Sequence, residues 1–448
     1  MGAEQQAGIH RQIIRLTLPA IASNITVPLL GLFDTAVTGH LGEETYLAAI
    51  AVGGMMLNVI FWLCGFLRMG TTGLTAEAFG ACSEAEVAKV FSRSLVMAVV
   101  IGVVVVALQC PLLSVLSALI APGEAVGELA GKYFTICVWG APALLAMLSV
   151  NGWFVGMQNT LWPMVISIAV NVINIVCSVT AVFVLGMGFE GVAYGTLAAN
   201  WAGVALAFAA VVRFARGRRL WCGWRAVLRG GELGKFFNVS GDLFVRSACI
   251  MAVSLSVTAF GARSGDLTVA VNAVMMQFFV FFSYFMDGFA FSGEALCGKS
   301  AGARDRDALM VAVKGILLWA GGMAALFFTA YFAGYRVIVG WLTDVASVRS
   351  GVDGMRLFLW LIPPVSVAAF VFDGFFIGLT ATRRMLITTL AAMAVFFAVV
   401  LTGDIADPVH GNRLLWTAFL SYLLARGAGL ALQLKPAVAA RLGKGRGR

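Results

Sequence analysis

A chain of 448 residues that is 60% hydrophobic and only 12% charged, with a mean hydropathy of +0.93, is excluded from the ordinary soluble domains, where about 25% of residues are charged. Its apolar runs reach about 20 residues and more, where a barrel strand needs about 10 with alternation, so they specify membrane-crossing helices. The formal net charge of +9 is explained by loop topology and lipid contact, which leaves no nucleic-acid partner to invoke.

In chain order the apolar segments predict twelve transmembrane helices, near 13–38, 46–79, 89–119, 129–156, 161–184, 191–213, 236–262, 267–297, 308–335, 352–379, 384–402 and 412–433. The first is read as a retained helix, since no small-residue cleavage site follows it. Placing the N-terminus and every second loop in the cytoplasm puts 22 of the 31 basic residues inside and 6 outside. That is the positive-inside bias, and it predicts that both termini are cytoplasmic. The remaining three, Arg68, Arg246 and Arg426, fall within spans.

The densest basic stretch, "RFARGRRLWCGWRAVLR" from Arg213 to Arg229, falls between spans six and seven. It divides the chain into a lobe over 1–212, a linker over 213–235 and a second lobe over 236–448. With Trp221 and Trp224 the linker suits an amphipathic segment on the inner leaflet, and a solvated loop fits it equally well. The halves look related. "WFVGMQNT" (153–160) matches "FFIGLTAT" (375–382), "TAEAFG" (75–80) matches "SGEALCG" (292–298), and "AVTGHLG" (36–42) matches "AFGARSG" (259–265), in the same order and at nearly one offset. Two parallel six-helix repeats predict an all-α integral membrane protein with two pseudo-symmetric lobes and a small-molecule cavity between them, working by rocking.

Cofactor and enzyme chemistry find no support. His10, His40 and His410 lie at or beyond helix ends, and the eight cysteines contain no C-x-x-C pair. A membrane enzyme would need a nucleophile and base inside the spans, and no histidine is there to serve. No G-x-x-x-x-G-K-[ST] is present, so active transport would draw on an ion gradient, worth about 2.3 kcal/mol per charge per 100 mV.

Six acids fall within spans: Asp34, Glu77, Asp242, Asp287, Glu294 and Asp373. Glu77 and Glu294 sit near cytoplasmic ends, which favours a topogenic or structural role. Asp242 and Arg246 are four apart, share a helix face and can pair. Asp287 and Asp373 each precede a glycine and can join them in one buried network, where charges that neutralise each other are the cheaper arrangement. Asp34 has no cation in reach on its own helix. Its half of the chain offers Tyr133, Asn151, Asn171, Asn174 and Thr196 instead. A carboxylate among amides and hydroxyls can load and unload a proton near physiological pH. Hydration at the outer interface is the plainer alternative. Pro19 and Pro28 leave the same helix local freedom to bend.

Together, "LPAIASNITVPLLGLFDTAVTGHLG", "LRMGTTGLTAEAFGA", "NVINIV", "GDLFVRS" and "FFSYFMDGFAFSGEALCGKSAGARD" resemble the multidrug and toxic compound extrusion (MATE) family, in particular its DinF-like branch. The resemblance implies a monomeric, lipid-embedded antiporter of two six-helix lobes that exchanges drug-like, cationic or amphipathic compounds for protons or sodium. It also implies that Asp34 is the coupling carboxylate, that Tyr133, Asn151, Asn174 and Thr196 are its partners, and that Pro19 is the hinge. Asn171, Ser178, Arg246, Asp287 and Asp373 are the polar side chains expected to meet substrate. One departure matters: many members carry a second acid on span five where this chain has Ser178. A hard cation wants charged oxygens, so the expected coupling ion is the proton rather than sodium. A flippase for a lipid-linked precursor is the alternative; its basic cavity would rest on Arg246 and Arg68.

Overall fold

The computed structural model describes residues 3–41, 43–216, 232–405, 407 and 410–443. The linker residues 217–231, with Trp221 and Trp224, lie outside the described residues. Among those described, every regular element is helical. Eleven helical stretches are long and apolar enough to cross a membrane. The place of the remaining expected span is taken by α1, Ala3–Gly39, a continuous helix of 37 residues.

Several spans are built from two helices. Helices α2 (Glu44–Leu63) and α3 (Phe66–Gly80) meet at Cys64–Gly65; α4 (Glu84–Ala107) and α5 (Gln109–Ile120) meet at Leu108. A 3₁₀ turn, Val138–Gly140, joins α6 (Glu124–Cys137) to α7 (Ala141–Gly156), and α8 (Leu161–Val179) ends in a π turn, Thr180–Val184, before α9 (Phe189–Phe214). The second half holds α10 (Glu232–Arg263), α11 (Asp266–Gly302), α12 (Arg306–Leu342), α13 (Ala346–Gly354), α14 (Arg356–Gly378), α15 (Thr382–Val400) and α16 (Gly411–Leu442).

The chain forms two packing units, Ala22–Phe236 and Phe237–Arg448, with the segment up to Ile21 belonging to the second. The lobes expected from sequence therefore differ from these units in the first turns of α1. The cause is side-chain packing. Thr17 Oγ1 lies 2.6 Å from Ser292 Oγ on α11, and Ile13, Leu16, Ala20 and Ile21 are buried. Two glycines make room: a Cβ at Gly288 would meet Ile21, and one at Gly315 would meet Ile13.

Each unit repeats the same close approaches. Gly152 lies against the carbonyl of Arg68, and Gly374 against that of Ala290. Gly156 packs on Thr72 and Thr75, and Gly378 on Glu294 and Cys297. Ser83 caps α4 by accepting from Glu86 N at 3.4 Å, and Asp305 caps α12 by accepting from Ala308 N at 2.9 Å. Left-handed loop residues recur as well, Cys82 with Arg304 and Gln158 with Thr380. Every one of these pairs has the same separation in sequence, that of Trp153 from Phe375. That register corrects one sequence match. Glu77 and Glu294, aligned above through the small residues around them, are not equivalent positions; Glu77 corresponds to Lys299 and Glu294 to Thr72.

Because the α11–α14 contact needs a glycine, Gly374→Leu is expected to lower stability in detergent by about 1–3 kcal/mol through overpacking. Gly322→Ala, at a glycine with nothing within 4 Å, is expected to stay within about 0.5 kcal/mol of the parent. Thermal unfolding of the two variants checks both.

Candidate functional site

In the first unit a polar cluster forms where α6, α8 and α9 meet. Gly195 has no side chain, so α9 can sit on the backbone of Ser178 in α8. This brings Asn174 to Thr196: Asn174 Nδ2 donates to Thr196 Oγ1 at 3.1 Å, and Ser178 Oγ donates to Asn174 Oδ1 at 3.5 Å. Thr196 Oγ1 donates to the carbonyl of Val192 at 3.1 Å. From α6, the Tyr133 hydroxyl lies near Thr196 and Cys137, and Cys137 Sγ donates to the carbonyl of Ala193 at 3.6 Å. Tyr133 is buried because Gly53 lets α2 lie against its ring.

Asp34 lies in the second half of α1. It is half-buried and within electrostatic range of Tyr133 and Cys137. Its carboxylate forms no salt bridge among the described residues. Two expected residues sit apart from the cluster's hydrogen bonds. Asn151, on α7, keeps a buried and unpaired Oδ1. Asn171 Nδ2 donates to the carbonyl of Thr26 at 3.0 Å, and Thr26 Oγ1 lies 3.2 Å from Ser167 Oγ. Asn171 therefore braces α1 beside Pro28, a residue with no N–H to give to the carbonyl four residues back. Pro19 is buried and helical on both sides.

The second unit holds a different cluster. Asp373 on α14 receives Arg246 Nη2 from α10 and Arg426 Nη2 from α16 on one oxygen, Oδ2, the latter at 2.5 Å. All three side chains are buried. Arg426 also donates to Tyr422 Oη and to the carbonyl of Ala369, both at 3.5 Å. The sequence singled out Arg246 and Arg68 as cavity cations and passed over Arg426. The available signal was its being an arginine deep inside the last apolar run. The expected Asp242–Arg246 pair does not form. Asp242 accepts from Thr382 Oγ1 at 3.1 Å and from Arg383 Nη1 at 3.5 Å, because α15 begins beside it and supplies partners nearer than the next turn of its own helix. Asp242 thus stands outside the expected network. Asp287 is half-buried on α11, near Tyr284. Glu77 takes Lys235 Nζ on both oxygens at 3.0 Å, an ion pair at the start of α10.

Removing the shared carboxylate would leave two buried guanidiniums facing each other. Asp373→Asn is therefore expected to destabilise the protein by about 3–5 kcal/mol, and adding Arg426→Gln to recover part of that loss. Denaturant unfolding of the single and double variants measures it. An Asp373→Asn protein as stable as the parent would contradict the triad.

Comparison with known proteins agrees with this architecture. The MatE family model matches twice, over residues 19–180 and 243–402, once in each half. The DNA damage-inducible protein F of Escherichia coli (strain K12) is 35% identical over 421 residues, spanning 93% of this chain and 90% of that one. The probable multidrug resistance protein NorM of Thermotoga maritima is 28% identical over 212 residues, 45% of this chain and 44% of that one. The bent form of the Vibrio cholerae MATE transporter VcmN superposes with a TM-score of 0.85 at 17% identity, covering 98% of this chain and 99% of that one. The eukaryotic MATE transporter AtDTX14 gives 0.84 at 16% identity, with the same coverage. The chain belongs to the MatE family and has the fold of the MATE transporters.

Proposed function

We propose that this chain is a proton-coupled antiporter that exports drug-like, amphipathic or cationic compounds through a bacterial cytoplasmic membrane, with both termini inside. The observation that carries the reading is Asp34, a carboxylate inside a membrane helix with no salt bridge among the described residues, beside the neutral cluster of Tyr133, Cys137, Asn174, Ser178 and Thr196. A proton is the one ion such a lone carboxylate can carry without further charged ligands. Ser178, where a second acid would complete a sodium site, gives its hydroxyl to Asn174 instead. The relatives named as multidrug resistance proteins support export of small molecules.

The coupling follows from competition. With Asp34 ionised, the cluster favours a cationic or polar substrate group; with Asp34 protonated, that electrostatic attraction is gone and substrate leaves. Alternating access then needs α1 to respond, since Asp34 lies in its second half. Pro19 sits three residues before α1 passes from one packing unit to the other at Ala22, which suits a hinge. The protein works as a monomer in contact with membrane lipid.

The test is proton movement in inverted membrane vesicles carrying an imposed pH gradient. Adding a cationic dye is expected to collapse the gradient without sodium, and Asp34→Asn to abolish the response. A variant that behaves like the parent would remove Asp34 from coupling. Thr196→Val keeps the side-chain volume but loses the hydroxyl that accepts from Asn174 and lies near Tyr133. It is expected to slow dye-driven proton movement about tenfold, the equivalent of ~1.4 kcal/mol, measured as the initial rate in the same vesicles.

A further inference from the structure

The reading above uses a carboxylate in the first unit and leaves the arginines of the second unit without a task. The Arg426 guanidinium alone carries five N–H donors, and Asp373 answers it with one oxygen, which it shares with Arg246. Its Oδ1 has no partner, and neither does Arg426 Nε, although Arg426 is only 4% exposed. The other bonds of Arg426, to Tyr422 Oη and Ala369 O, are long at 3.5 Å. A purely structural ion pair would match donors to acceptors, since an unanswered buried donor keeps the cost of its desolvation. Arg426 is short of acceptors.

Beside it stands an aromatic wall. The Arg426 guanidinium lies 5.8 Å from the centroid of Phe370 and 5.9 Å from that of Tyr422. Phe279 packs on Phe370 at 5.9 Å and on Phe419 at 5.0 Å. Phe279 and Phe370 are only half-buried, so part of this apolar face is open next to the basic pair. Planar guanidiniums match the geometry of a carboxylate or sulfonate, and an aromatic face takes the apolar body attached to it.

We propose that Arg246 and Arg426, held by Asp373 and flanked by Phe279 and Phe370, recognise the anionic group of an amphipathic organic anion or zwitterion, a carboxylate or sulfonate on an aromatic or aliphatic body. This deepens the export reading and rests on it for the step of transport, while binding itself does not depend on it. The substrate range then extends from cations to compounds with an acidic end. Arg426 has the larger effect, because it carries both the unpaired Nε and the aromatic contacts.

The experiment is equilibrium binding to the purified full chain in neutral detergent, with no ion gradient, so that its outcome is independent of proton coupling. Two matched fluorescent probes are used: dansylglycine, which carries a carboxylate, and dansylamidoethyl trimethylammonium, which carries a cation on the same body. The parent is expected to bind dansylglycine and to lose at least about tenfold in affinity in Arg426→Gln, a variant that leaves Asp373 paired with Arg246. Arg426→Lys, which keeps the charge but not the planar fork, is expected to fall between them. Affinity for the cationic probe is expected to change less than threefold, on the order of 0.6 kcal/mol. A folded Arg426→Gln that binds dansylglycine like the parent overturns the proposal. Should that variant fail to fold, the parent decides alone: a saturable dansylglycine site relieved by excess aromatic sulfonate supports the proposal, and failure to bind dansylglycine overturns it.

Discussion

Hydrocarbon offers a peptide carbonyl, a hydroxyl or a carboxylate no hydrogen-bond partner, so polar groups placed in these spans are driven to find partners within the protein. The effect is visible along the helices. Hydroxyls fold back on carbonyls one turn earlier, as in Thr71 to Leu67 at 2.6 Å, Thr38 to Asp34 at 2.6 Å and Ser92 to Ala88 at 2.8 Å. Larger groups gather in clusters where glycine lets two helices approach, and both polar clusters described above lie at such places. Gly195 brings Thr196 to Asn174, and Gly374, next to Asp373, brings α14 onto α11. In lipid, tight backbone approach and buried hydrogen bonding are what hold helices together, since apolar burial alone gains little there.

The two repeats keep this packing and differ in what it presents. The glycine contacts, the helix caps and the left-handed loop residues recur at one constant separation in sequence. The polar residues do not. In the same register Asp373 occupies the position of Asn151, Arg246 that of Asn24, and Arg426 that of Val204. One repeat has Asp34 near a cluster of neutral groups, and the other has two cations on one carboxylate. The scaffold thus constrains the glycines and caps, and leaves the buried polar side chains free to diverge between halves.

Much of the fold was legible because its signals are local. Long apolar runs mark spans whatever their neighbours are, and the strand alternative was excluded by run length alone. An acid such as Asp34 stands out against an apolar background, as Arg426 would have done had it been weighed. What depended on tertiary contacts was not legible. Nothing local in "IIRLTLPAI" says that Thr17 reaches Ser292, so the attachment of the first turns of α1 to the second half stayed hidden. The four-residue spacing of Asp242 and Arg246 predicted a pair, but Thr382 and Asp373 on other helices took them separately. A short run of small residues around a glutamate misaligned Glu77 with Glu294, where longer-range contacts set the register.

The central claim is that proton and substrate compete through Asp34, and linkage makes the competition reciprocal. It is tested most directly by proton release on substrate addition to the purified protein in weakly buffered detergent, followed with a pH indicator near neutral pH. The account predicts release of about one proton per chain from the parent, independent of sodium, and none from Asp34→Asn. Undiminished release from the Asp34→Asn protein, or substrate binding by the parent with no proton released at any pH across the neutral range, would contradict it.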